Sequence, residues 1–185
     1  PMNTTPMNLL DRLEAFLQQD PCNQALLAQA FEEALRQARH ERAQHHLAAG
    51  LASGQETLAW RLREAHWHLA GRDWAAAREI LERLRHDPLA PVEVQLAAAQ
   101  DEAYAALQQG RVEEGIELLE PLMAPLADTS TGAGPATIDT APQAQVVWLR
   151  LLHRAGQLDR LLAWATDRAA AGRLAADARG VASLG

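Results

Sequence analysis

The sequence predicts an all-α fold: a right-handed stack of about four helical hairpins preceded by one N-terminal helix. Three observations predict it. Apolar residues make up 48% of the chain, and Ala and Leu dominate them, while β-branched and aromatic residues are scarce. That composition favours helices and disfavours a sheet. A short pattern recurs: His40-Glu-Arg-Ala43, Trp74-Ala-Ala-Ala77 and Val112-Glu-Glu-Gly115 each place a bulky or ring residue three positions before a very small one. Ala43 to Ala77 is 34 residues, Ala77 to Gly115 is 38, and a looser copy, Leu158-Asp-Arg-Leu161, follows after 46. A helical period in the mid-thirties marks stacked helix pairs. Finally, Gly71, Gly110 and Gly156 fall between paired segments, where a helix end needs a residue that tolerates positive φ.

The elements follow in order. Asn8 is a suitable cap for a first helix reaching about Gln19, with Leu9, Leu10, Leu13, Phe16 and Leu17 at helical spacing. Asp20-Pro21 stops it. The next helix is predicted from Asn23 to Arg39, with Leu27, Ala30, Phe31, Ala34 and Leu35 inward, and its partner from Glu41 to Leu51. Ala52-Ser-Gly-Gln55 closes that hairpin. Thr57 to Ala70 is the best-marked helix. Leu58, Leu62, Ala65 and Leu69 share one side within about 60°, and Trp60 and Trp67 lie opposite. A helix apolar on two sides is sandwiched between neighbours. The return helix, Trp74 to Arg85, turns Ala77, Ile80, Leu81 and Leu84 inward and ends at Asp87-Pro88. The third pair is Val92 to Gln109 and Val112 to Leu122. Residues 125–142 are small, polar and rich in breakers, so they read as a flexible loop. The fourth pair is Gln143 to Ala155 and Leu158 to Ala171.

These residues resemble the tetratricopeptide repeat family, in its bacterial type. Trp60, Ala65, Gly71, Trp74, Ala77, Leu81 and Asp87-Pro88 match the family's motif, with one extra residue around Gly71. Ala99, Ala103, Gly110, Val112, Gly115, Leu119 and Leu122 match in the third unit. Phe31, His40, Ala43 and Leu47 match in the first, and Leu149, Gly156, Leu158 and Leu161 in the fourth. The resemblance covers most of residues 8–171 outside the loop. The domain reading is therefore a disordered N-terminus or tag remnant at 1–7, repeats at 8–124, the loop, and a further hairpin with the start of another helix at 143–185. Pro1 and the uncapped stretch Leu174 to Leu184 read as the edges of a longer protein.

Chemistry finds little support. The net charge is −7, unfavourable for nucleic acid or an anionic membrane. Cys22 is the single cysteine, so a Cys-based metal site or internal disulfide is excluded. His40, His45 and His46 do not share one helix face, and His66 and His68 point about 200° apart. No histidine pair has the spacing of a helical zinc site, so neither metal nor cofactor is expected. Thr131-Gly-Ala-Gly-Pro135 lacks the Lys and the following helix of a phosphate loop. The acidic pairs Glu32-Glu33 and Glu113-Glu114 read as solvated faces, and Trp60, Trp67 and Trp74 as packing between helices. No apolar run reaches the roughly 20 residues of a membrane span, and the N-terminus has no secretory leader, which points to a cytoplasmic protein.

What remains is a surface. In the resembling family, the first helix of each pair lines a concave groove that binds peptides or helices. Projection places Arg63 and His66 beside the core stripe of Thr57 to Ala70. The repeat offset carries them to Asp101, Tyr104 and Gln108, to Gln29, Glu32 and Arg36, and to Arg150 and Arg154. The expected function is therefore non-catalytic binding of another protein or peptide, as adaptor, chaperone or scaffold. The alternatives are a regulatory or targeting region of a larger enzyme, a secretion-associated chaperone, or a self-assembling structural unit with homo-oligomers.

Overall fold

The structure, a computed structural model, describes residues 8–123, 142–167 and 169. The predicted N-terminal remnant, nearly all of the predicted loop and the stretch Leu174 to Leu184 lie outside these residues. All regular structure among the described residues is helical. In chain order the helices are α1 (Leu9–Gln19), α2 (Gln24–Arg36), α3 (His40–Ala52), α4 (Thr57–Ala70), α5 (Trp74–His86), α6 (Val92–Gln108), α7 (Val112–Met123) and α8 (Pro142–Arg154). A further helix, α9, covers 158–167. The chain forms two compact units, Pro1–Ala98 and Ala99–Gly185.

Side-chain caps set several of the starts. The Asn8 side chain accepts from Asp11 N, that of Asn23 from Leu26 N, and that of Asp73 from Ala76 N. Each satisfies one of the donors a helix start leaves open. Pro142 opens α8, a position where its missing N–H costs nothing.

Four helix-to-helix turns are built alike. The residues in left-handed conformation are Ala38 (φ 55°), Arg72 (φ 59°), Gly110 (φ 75°) and Gly156 (φ 69°). Each stands two positions before the next helix. In each, the following N–H reaches five residues back: Arg39 to Ala34 O (2.8 Å), and Asp73 to His68 O, Arg111 to Ala106 O and Gln157 to Leu152 O (2.9 Å each). This is the six-to-one hydrogen bond of a Schellman turn. Two expectations are corrected by it. Helix α2 ends at Arg36 and not at Arg39, because Ala38 leaves the helix. Gly71 is not the left-handed residue: its φ is −78°, and Arg72 takes that role. The extra residue inferred around Gly71 therefore disappears, since the turn spacing is the same as in the other hairpins.

In the first unit α1 packs on α2, α2 on α3, α3 on α4, and α4 on α5. Helix α4 is sandwiched as expected. Trp60 is fully buried in a cluster with Phe31, Ala43 and Leu47, and Trp67 packs against that cluster. On the other side Leu58, Leu62 and Leu69 join Ala65, Ala77, Leu81, Leu84 and Ala98. The Trp60 ring lies on bare backbone: a Cβ on Gly50 would come within 2.2 Å of it. Trp60 also meets Phe31 edge-on at 6.3 Å and donates its indole N–H to Gln24 Oε1 (2.8 Å). Helix α1 has a narrower buried stripe than its pattern suggests. Leu10, Leu13 and Leu17 are buried, but Leu9 and Phe16 are half exposed; among the described residues α1 packs chiefly on α2.

In the second unit α7 packs on α8. Ala103 and Leu107 of α6, Ile116, Leu119 and Met123 of α7, and Val147, Trp148, Leu151 and Leu152 of α8 form its core. Gly115 repeats the Gly50 device: a Cβ there would lie 2.7 Å from the Leu151 side chain. Small residues at Ala43, Ala77 and Gly115 thus mark helix crossings in three hairpins.

Candidate groove residues and the surfaces they share

The left-handed turn residues supply a common ruler. Arg36, Gln108 and Arg154 each stand two residues before one, as does Ala70. Glu32, His66, Tyr104 and Arg150 each stand six before, and Gln29, Arg63 and Asp101 nine before. The offsets used in the sequence projection, 34, 38 and 46, are therefore those of the backbone turns themselves. All ten residues lie on α2, α4, α6 or α8, the first helix of each pair.

In the first unit, Arg63 of α4 reaches Glu32 of α2 at 3.4 Å, so the flanks of consecutive first helices meet there. Arg63 also lies over the Trp60 ring at 4.9 Å, which holds a half-buried guanidinium by cation–π attraction. Gln29 is exposed and His66 half-buried. Arg36 turns to its own helix, with Nε donating to Glu33 Oε2 at 2.8 Å. Glu33 is a correction: it is 7% exposed and not a solvated face residue. Donors from Arg36, then Gln37, hold its carboxyl at about 2.

In the second unit, Gln108 comes together with Arg150 and Arg154. They line a cleft of roughly 370 Å³ with Leu107, Leu149 and His153. Arg154 donates to the Leu107 carbonyl at 3.2 Å, which satisfies an open oxygen at the end of α6. Asp101 is half-buried and Tyr104 exposed on the same helix.

Projection along single helices missed a polar buckle between α1 and α3. Arg42 grips Glu14 with two donors, Nε to Oε1 (2.9 Å) and Nη2 to Oε2 (2.6 Å), and also reaches Asp11 at 2.7 Å. His46, 4% exposed, donates Nε2–H to Glu14 Oε1 at 3.0 Å, since a carboxylate only accepts. The hydrogen bonds from Arg42 chiefly hold the Glu14 carboxyl below its usual range; burial opposes them next, and His46 adds a smaller lowering. The same carboxylates push the Arg42 guanidinium up. Glu14 accepts three hydrogen bonds and its carboxyl is held below the usual range, which makes it a weak proton acceptor and poorly suited to general-base work. The signal in the sequence was the i, i+4 pair Arg42 and His46 facing the i, i+3 pair Asp11 and Glu14, but nothing local says that α1 and α3 meet. His40, given the place that Trp74 holds in the next hairpin, has that position but is exposed where Trp74 is half-buried. It contributes its carbonyl, which accepts from the Trp67 indole at 3.3 Å.

Among the described residues no group of three or more His, Cys, Asp or Glu is placed to hold a metal ion, and no helix is long and apolar enough to cross a membrane. No family model, curated protein or solved structure matches the chain.

Proposed function

We propose that this chain is a non-catalytic protein–protein interaction module of the tetratricopeptide-like kind, binding a peptide or helix along the flanks of its first helices. The observation that carries the reading is the recurrence of one turn. Four Schellman turns, each two residues before a second helix, put the ten candidate residues at shared registers on α2, α4, α6 and α8. Repeated hairpins in one register present repeated side-chain columns, and such columns read extended segments. The Glu32–Arg63 contact joins two neighbouring columns. The columns carry Arg and Tyr, side chains suited to binding anchors. A cytoplasmic adaptor, chaperone or scaffold role fits this surface.

The test is capture of a partner from a lysate by the wild type beside an Arg63→Glu, Tyr104→Ala variant that melts at the same temperature. A protein held by the wild type and lost by the variant supports the groove. Equal capture by both overturns it.

One observation favours a self-assembling reading. Leu158 and Leu162 of α9 are 52% and 62% exposed, one helical turn apart. Molar mass in solution that rises with concentration, and falls back in Leu162→Glu, supports that reading.

A further inference from the structure

The cleft in the second unit differs in charge from the chain that contains it. The protein carries −7 overall, yet the cleft walls contain Arg150, His153 and Arg154 and no carboxylate. Arg154 is held by the Leu107 carbonyl, which orients its guanidinium and leaves other N–H groups open. Arg150 and His153 make no hydrogen bond or ion pair with any described residue, and both are exposed. Complementing the negative end of α8 accounts for His153 and Arg154 in its last turn. It does not account for Arg150, a full turn earlier.

We propose that this cleft is the part of the groove that selects its partner, and that it takes side-chain carboxylates of an acidic, extended segment of another protein. The proposal rests on the groove reading above. Arg150 and Arg154 are four apart, so their Cβ atoms stand about 5–6 Å from each other. Carboxylate residues two apart on an extended segment are separated by about 6–7 Å. One carboxylate therefore falls to each arginine, with the planar fork of each guanidinium matching the two oxygens. Leu107 and Leu149 offer apolar wall to the methylenes of the acidic side chains. A peptide is favoured over a nucleic acid because a long phosphate backbone meets the repulsion of the whole acidic protein, whereas a short segment meets only the local cations.

The probe is a peptide blocked at both ends, Gly-Ser-Glu-Ser-Glu-Ser-Gly, titrated into the isotope-labelled full chain and followed by two-dimensional NMR. The expected result is saturable shifts confined to the end of α6 and to α8, weakened by added salt. The Gln-for-Glu peptide is expected to leave them unmoved. Arg150→Gln, at an exposed position that leaves the Leu107 contact intact, is expected to weaken the peptide about tenfold or more. The proposal is overturned by absence of saturable shifts, by equal binding of the Gln peptide or to Arg150→Gln, or by an oligouridylate that produces the same shifts at lower concentration. A free C-terminus binding tenfold better than the blocked peptide overturns it in favour of terminal-carboxylate recognition. If the peptide fails while the Arg63→Glu, Tyr104→Ala variant still loses its captured partner, the groove stands and only this selectivity falls.

Discussion

Gly50, inside α3, and Gly71, just past the end of α4, show how differently two glycines behave. Gly50 is required by contact, since a methyl group there would enter the Trp60 ring. Gly50→Ala is expected to cost about 1–3 kcal/mol in denaturant unfolding, the usual range for overpacking. Gly71 is required by nothing near it: its φ is negative, and a Cβ would meet only backbone oxygens at 3.6 Å. Gly71→Ala is expected to stabilise the protein by about 0.5–1 kcal/mol, by restricting the unfolded chain. Gly110→Ala, at φ 75°, is expected to destabilise by about 1 kcal/mol. A pattern of Gly between helices made all three turn glycines look equivalent. The backbone separates them, because a left-handed residue is chosen by the five-back hydrogen bond, and Arg72 meets that demand one position later.

At the scale of the helix, small residues decide how closely pairs approach. Ala77 has no exposed surface and lies in the cluster between α4 and α5. Ala77→Arg is expected to cost about 3 kcal/mol or more, because it overpacks the crossing and buries a charge there. An unchanged melting temperature would sink the hairpin packing described above. Positions of this kind were legible from spacing alone, as were the starts of α4, α5, α6 and α7. Helix ends were read less well. α2 stops three residues early and α5 runs one residue late, because an end is fixed by cap geometry and not by apolar period. The stripe of α1 was overread for a different reason: helical spacing locates a face but not how many neighbours cover it.

For the whole molecule, acidity is where the two engaged carboxylates act together. The folded pKa of Glu14 is lowered, and that of Glu33 falls to about 2. A lowered folded value means stability is fully present above the unfolded carboxyl value of about 4.3 and is lost as pH falls through the folded one. The chain is expected to lose stability progressively below about pH 4.5, measured by urea midpoints at stepped pH. Glu14→Gln is expected to lower the midpoint at neutral pH, with the difference from wild type narrowing as pH falls. A gap constant across that range would mean that the Glu14 buckle is not what titrates.

The sequence by itself determined the helical class, the starts of α4 to α7 and the sandwiched place of α4. These follow from local rules: apolar period, helix propensity and breaker residues. Only the tertiary structure decided that Arg72 and not Gly71 closes the second hairpin, that Glu33 is buried, and that Arg42 and His46 of α3 bind Glu14 of α1. It also decided that Gln108, Arg150 and Arg154 share one cationic cleft. Each of these depends on residues far apart in the chain or on backbone hydrogen bonds. A one-dimensional pattern carries the identity of such groups but not the distance between them.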